Sequence, residues 1–216
     1  MNYYNQTSYI SNSNLTELKK LLFSIPDAPP MAYSFGSLVD AMLTEPNLVD
    51  EYEMILYDHN GNEERFHELD FKRAKDMVKN LKAYPMVQLF LNAGEKQFEF
   101  YNDDFKVSEF TIKARCKLDF YAPRLRIGGD LKTTACKSQS QFIQSLNQFD
   151  YDRQCAWYMD LLGLDKFVFI GASKQKPYSI FAFTVNRGDE FYSQGKAKYE
   201  WLVERYCTLI LPLIQQ

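Results

Sequence analysis

A chain of 216 residues is long enough for one α/β domain with a full core, or for two small domains at most. Its 46% hydrophobic and 25% charged content, with 17 Phe and 15 Tyr against 9 Gly, points to a large packed core and excludes a low-complexity or disordered chain. The formal net charge of −3 excludes a whole-protein basic field, so any positive surface for nucleic acid has to be local.

The stretch from Met1 to Leu15 is polar and lacks the charged head and apolar run of a signal peptide. A helix follows, with Asn14 as its cap and Glu17 completing a capping box. Leu15, Leu18, Leu21 and Leu22 fall on one face, and Pro26 with Pro29-Pro30 ends the segment. The spacing predicts a second helix from about Ser34 to Thr44, with Phe35, Leu38, Val39, Met42 and Leu43 inward, closed by Pro46. Asn47 to Leu69 is polar, contains the turn signal Asn60-Gly61-Asn62 and carries both histidines, His59 and His67; it reads as a hairpin-like excursion or a loop.

Phe71 to Leu91 has helical periodicity interrupted at Pro85 and stops at Asn92-Ala93-Gly94. Gln97 to Tyr101, Phe110 to Tyr121 and Leu125 to Leu131 are β-rich, with Ala122-Pro123-Arg124 as a turn. Helical periodicity returns from Ser138 to Leu162 with a break near Asp150. Lys166 to Ala172 and Ser179 to Val185 read as strands around Lys176-Pro177, and an amphipathic helix runs from about Asp189 to Leu211. The expected architecture is a single α/β domain over 1–216, a mixed central sheet flanked by helices, with a helical N-terminal part (about 10–92) and an α/β core (about 95–211). Cys116, Cys136, Cys155 and Cys207 form no CxxC pair, and no run approaches 18 apolar residues. Neither a zinc nor an iron–sulfur site is expected, and a reduced, cytoplasmic, soluble protein without membrane contact is.

Three groups of residues carry chemistry. Asp119 sits on one predicted strand, and Asp130-Leu131-Lys132 on the next. Side-chain alternation points Asp130 and Lys132 to one face and Leu131 to the core, and a hairpin brings Asp119 alongside. Two carboxylates beside an ammonium form the set that phosphodiester hydrolysis needs: acids to hold Mg²⁺, and a cation to orient water or stabilise charge on phosphorus. Taken alone, Asp-x-Lys also describes a common surface ion pair. Gln154 and Tyr158, four apart on the following helix, share a face and suit a phosphate or a water, although Tyr158 also reads as a core aromatic. Near the front, Gly36 permits close helix packing. Asp40 lies inside an apolar helical face, as a satisfied buried polar group or a neighbour of a metal site.

In this order the segments resemble the RecE-type exonucleases, relatives of lambda exonuclease in the PD-(D/E)XK superfamily. Ser11-Asn12-Ser13-Asn14-Leu15 is similar to their S-x-S-x-L helix entry. Gly36 to Asp40 and Leu43-Thr44-Glu45-Pro46 resemble their G-x-x-x-H and llxEP segments. Lys113 to Asp119 loosely matches K-x-R-x-D, Asp130 to Thr134 matches D-x-K-T-T, and Gln154 to Tyr158 matches Q-x-x-x-Y. The resemblance spans about Tyr9 to Leu162 and implies a restriction-endonuclease-like core acting on linear duplex DNA. The implied cofactor is Mg²⁺, with Mn²⁺ as substitute, and the implied setting is phage-type recombination in an infected or prophage-carrying cell.

The resemblance makes Asp119, Asp130, Lys132, Gln154 and Tyr158 catalytic. It assigns metal ligation to Asp119, Asp130, the Leu131 carbonyl and an additional acid, and substrate contact to Thr133, Gln154 and Tyr158. The additional acid is Glu95 or Glu99, with Glu95 preferred because it follows the Gly94 turn; Asp40, standing where the family has histidine, is a further candidate. Double-stranded DNA ends, a single-strand annealing protein and a homo-oligomer are the implied partners. A structure-selective or single-strand endonuclease on the same core, and a catalytically inactive DNA- or partner-binding module, are the competing readings.

Overall fold

The computed structural model describes residue 3, residues 6–26 and residues 31–214. In chain order, α1 (Asn12–Phe23) and α2 (Met31–Thr44) lead into a small antiparallel sheet of β1 (Val49–Asp50), β2 (Ile55–Tyr57) and β3 (Glu63–Arg65). Helices α3 (Glu68–Ala83) and α4 (Pro85–Ala93) follow, then β4 (Glu95–Val107), β5 (Phe110–Ala122) and β6 (Ile127–Thr134). The chain continues through α5 (Gln139–Gln148), α6 (Tyr151–Leu162), β7 (Lys166–Ser173), β8 (Ile180–Asn186) and α7 (Glu190–Arg205), and then α8 (Leu211–Ile214) beyond a π-helical turn. β4 to β8 form one sheet in sequential order; the β6–β7 pair, bridged by α5 and α6, is parallel and the other pairs are antiparallel.

Apolar burial on both faces of this sheet places the helices. β7 shows why its sequence is a nearly unbroken apolar run: Phe167 and Phe169 join the core under α1, α5, α6 and α7, while Val168, Ile170 and Ala172 join the core under α2, α3 and α4. β5 behaves differently. Ala114, Cys116 and Leu118 belong to the first core, whereas Phe120 and Ala122, of the same parity, belong to the second. The strand therefore changes face at Asp119, where simple alternation would have kept it constant.

Several boundaries differ from the sequence-based expectation for identifiable reasons. The first helix starts three residues earlier than Asn14: Ser11 is the cap, and Asn14 supplies the returning side chain of the capping box in place of Glu17. Leu15 and Leu18 are buried, but Leu21 is 72% exposed, because only the first half of the helix meets the core. Pro29-Pro30 lies outside the described residues. β4 and β5 extend to a hairpin at Val107/Phe110 through the polar run Asn102–Asp104. A register shift between Asn102 and Phe105 absorbs that run, so ladder pairing overrides poor strand propensity. The break at Asp150 is sharp: its φ of 54° separates α5 from α6, and its carboxylate is pinned by Lys19 of α1 and Lys198 of α7. His67 caps α3 by accepting the Leu69 N–H, and His59 stands near Glu45.

α6 and α7 approach at Gly195, where an added Cβ would lie 1.9 Å from the Asp152 carbonyl oxygen. Backbone cannot yield as a flexible side chain can, so Gly195→Ala should force the helices apart and lower unfolding free energy by about 2–3 kcal/mol. Chemical denaturation monitored by circular dichroism measures this; an unchanged midpoint would mean that the helices separate freely.

Candidate active site

The register Phe120↔Gly129, Tyr121↔Gly128 and Ala122↔Ile127 pairs β5 with β6 only near the turn; beyond it the two strands part. Parting would leave the Leu131 N–H without a ladder acceptor in a buried place. The Asp119 carboxylate takes it, Oδ2 accepting at 2.6 Å. Asp130, the residue before Leu131 on β6, is 3% exposed; its Oδ1 accepts from Gln154 Nε2 at 2.8 Å, and its Oδ2 lies 2.5 Å from Lys132 Nζ. Among the described residues that ion pair is the sole partner of Oδ2, which takes no well-angled hydrogen bond. The Lys132 ammonium is held in turn over the Tyr151 ring, 4.7 Å from its centroid.

Gln97 completes the arrangement from β4. It sits between the pairs Lys96↔Phe120 and Phe98↔Leu118 with φ 51°, a left-handed backbone that interrupts the ladder opposite Asp119 without shifting its register. Its Nε2 donates to Asp40 Oδ2 at 2.9 Å and to Thr44 Oγ1 at 3.2 Å. Asp40 is thus both a satisfied polar group of α2 and a neighbour of the Asp119/Asp130 pair. Burial pushes its carboxyl up to about 6; the Gln97 hydrogen bond opposes this, and the charges of Asp130 and Glu45 add to it. Burial, then the charges of Asp40 and Asp130, hold Asp119 well above the usual carboxylate range against Lys132 and the Leu131 N–H. Burial alone would lower Lys132, but Asp130, Tyr151 and Asp119 together outweigh it, so the lysine is held protonated above its ordinary range. Lys132 therefore serves as a cation and a hydrogen-bond donor, and is unsuited to act as a base.

These groups line one cleft of about 1120 Å³, which brings together Asp40, Asp119, Asp130, Leu131, Lys132, Thr133, Gln154 and Tyr158. Gly36 lets α2 reach it: an added Cβ would stand 3.2 Å from Thr133 Oγ1. Glu95 is not among the lining residues. It is exposed at the start of β4 opposite Tyr121, and Glu99 is exposed beside Lys117; the left-handed residue Gln97 between them brings to Asp40 an amide that sequence reasoning passed over. Gln154 also departs from expectation. Its amide contacts Asp130 itself, with Tyr158 Oη 3.3 Å away, so it orients the carboxylate as well as facing the cleft.

Sequence reasoning also missed Arg153, 2% exposed, whose Nη2 donates to Thr16 Oγ1 at 2.6 Å and ties α6 to α1 beside Gln154. A legible signal went unused in α5: Gln141, Gln144, Ser145 and Gln148 recur at helical spacing and line the cleft with neutral polar groups, while Phe142 and Leu146 face the core.

Among the described residues, no three His, Cys, Asp or Glu side chains are grouped closely enough to hold a metal ion by themselves. Two crowded carboxylates do fit a hard cation that takes its remaining ligands from water, a backbone carbonyl such as that of Leu131, or a substrate phosphate, as Mg²⁺ does. The ion pair at Asp130 Oδ2 leaves room for such a cation, which would also relieve the carboxylate repulsion that adds to burial in raising Asp119 and Asp40.

Residues 7–210 match the model of a family described as a PDDEXK-like domain of unknown function (DUF3799). The chain belongs to this family. A provisionally named exonuclease from Eubacterium rectale, 19% identical, superposes with a TM-score of 0.66 over 96% of this chain and 85% of its own. An alkaline exonuclease from Laribacter hongkongensis matches at a TM-score of 0.41 and 10% identity, over 99% of this chain and 95% of its own. A phage-related exonuclease from Haemophilus somnus 129PT matches at 0.37 and 12%, over 88% and 94%. No curated protein matches the chain. The PD-(D/E)XK fold, with its mixed sheet and flanking helices, is the restriction-endonuclease-like one. No helix among the described residues is long and apolar enough to cross a membrane.

In this PD-(D/E)XK chain the raised Asp40 has a consequence for stability. A carboxyl whose folded pKa lies above its unfolded one contributes stability below the unfolded value and loses it as pH rises through the folded value, here about 6. Asp40→Asn, whose amide oxygen still accepts from Gln97, should therefore melt above the wild type at pH 8, by on the order of 1 kcal/mol. The difference should shrink as pH falls through 6 toward 4. Thermal melts across that range check it; a constant offset would mean that Asp40 does not titrate there.

Proposed function

We propose that the protein is a Mg²⁺-dependent DNA exonuclease that hydrolyses phosphodiester bonds from the ends of linear duplex DNA in phage-type recombination or DNA processing, with Mn²⁺ able to substitute. The observation that carries this reading is the convergence of Asp119, Asp130, Lys132 and Gln154 on one cleft, within a family whose fold is that of nucleases. A divalent ion, when bound, supplies charge neutralisation at the scissile phosphate and acidifies a water. Asp119 and Asp130 would hold it, with the Leu131 carbonyl as a neighbouring oxygen. Asp40, tied to Gln97, would act on it through charge.

The protein's own groups do the rest. Lys132, protonated and braced on Tyr151, donates to the attacking water or to a phosphate oxygen and stabilises charge that develops on phosphorus. Gln154 keeps the Asp130 carboxylate aimed and presents its amide to the cleft; Tyr158 stands behind it, and Thr133 offers a hydroxyl on the substrate side. The resemblance that suggests DNA ends also supports a single-strand annealing protein as partner and a homo-oligomer.

Incubation of linear and covalently closed circular duplex with Mg²⁺ or EDTA tests the reading. Linear DNA should be degraded only with Mg²⁺, closed circles should be spared, and Asp119→Ala or Asp130→Ala should abolish cleavage without unfolding the protein. Rapid cutting of closed circles would instead mark an endonuclease, and full activity in either variant would overturn the site. Gln154→Ala should slow cleavage about ten- to a hundredfold, the loss of a hydrogen bond to a charged group worth roughly 1–3 kcal/mol. Because Gln154 touches Asp130, Mg²⁺ affinity should weaken in the same variant. Tyr158→Phe keeps the packing and should retain most of the rate. Rate, melting temperature and calorimetric Mg²⁺ affinity on these variants separate a working amide from a merely packed helix.

A further inference from the structure

Lys174 follows β7 and lines the same cleft, yet it belongs to none of the groups used above. Its backbone N–H donates to the Thr134 carbonyl at 2.7 Å, which places it beside the end of β6, two residues past Lys132. At about 3.3 Å per strand residue, that is on the order of 7 Å beyond the catalytic lysine, roughly the axial rise of two nucleotides of a DNA strand. The Lys174 ammonium lies 5.6 Å from the centroid of the buried Phe35 ring, and the Arg73 guanidinium lies 4.3 Å from the same centroid. Arg73 is answered by Asp70 at 2.8 Å, while among the described residues no carboxylate pairs with Lys174. Burial, then the charge of Arg73, makes the Lys174 ammonium harder to keep protonated. Two cations thus stand against one aromatic ring with one carboxylate for the pair, and Lys174 is the one that reaches the cleft, whose floor is acidic.

We propose that Lys174, backed by Phe35 and Arg73, holds a phosphate group of the DNA strand about two nucleotides from the scissile bond. This rests on the nuclease reading and deepens it. The phosphate offsets a charge that the fold leaves unanswered, and the cation-bearing ring fixes where the strand leaves the acidic floor. A protein with net charge −3 gains in this way the local positive point that its overall composition withholds.

Binding is read without cleavage, by fluorescence anisotropy of a labelled linear duplex in EDTA or Ca²⁺, over a series of salt concentrations. One phosphate contact contributes about 0.9 to the slope of log affinity against log salt. Lys174→Gln should therefore lower that slope by about 0.9 and weaken binding about tenfold near 0.1 M salt. In Mg²⁺ the loss should sit mainly in KM. Lys166→Gln, at the opposite end of β7 and exposed, serves as the control and should leave the slope in place. Duplexes with and without terminal phosphates separate the two sources of the group. A slope change with both assigns a phosphodiester within the strand, and a change confined to phosphorylated ends assigns the terminal phosphate. A wild-type slope in Lys174→Gln, or an equal change in Lys166→Gln, overturns the proposal while leaving the nuclease reading intact. A wild type that binds no DNA overturns the nuclease reading itself.

Discussion

Asp40, Asp119 and Asp130 face one another across a cleft that contains one firmly placed ammonium, that of Lys132. Like charges brought this close in a partly dry place repel strongly, because little water remains to screen them. The folded chain meets this in three ways. Asp119 is given a backbone N–H, Asp130 an ammonium and an amide, and Asp40 the amide of Gln97, while burial pushes Asp40 and Asp119 toward their neutral forms. The geometry stores an unmet demand for positive charge, which a divalent cation and a phosphate-bearing substrate would satisfy together.

The scaffold exists to hold that demand in place. β5 must leave β6 after Phe120/Gly129, or the Leu131 N–H would pair in the ladder and Asp119 would lose its anchor. The change of face at Asp119 depends on both cores: Leu118 packs under α6 while Phe120 stacks on Phe90 of α4, their ring centroids 5.1 Å apart. α6 then carries Gln154 over Asp130. Its own position is set by Asp150, clamped between Lys19 and Lys198, and by Arg153 on Thr16. A displacement at any of these remote ties would move the amide that aims Asp130.

The charge distribution also explains how a slightly acidic protein can suit a polyanion. The cleft floor is acidic and its α5 wall is neutral, with glutamine side chains spaced along one helix face. Among the described residues the positive lining is Lys132, the buried Arg153 and Lys174 beside the end of β6, so attraction to phosphate would be local and directional instead of spread over the surface.

Much of this was legible in residue order. Periodicity located the helices and most central strands to within a few residues, because each apolar face must be buried whatever lies opposite it; β4 is the exception, running to Val107 where Tyr101 was the expected end. The Asp-x-Lys spacing on a strand after Asp119 announced two acids and a cation on one face, since strand alternation is a local property. Gln97 was not legible. It reaches Asp40 where a left-handed backbone interrupts a ladder whose register depends on β5, and the sequence around it favours Glu95 and Glu99 equally by parity. The pairing of Lys174 with Arg73 through Phe35 was equally hidden, because three segments far apart in sequence meet at one ring. Local spacing thus determined which strand carries an acid and a cation on one face. Tertiary packing decided which amide steadies which acid, and where the cleft keeps its spare positive charge, since those contacts join elements whose relative placement no local pattern encodes.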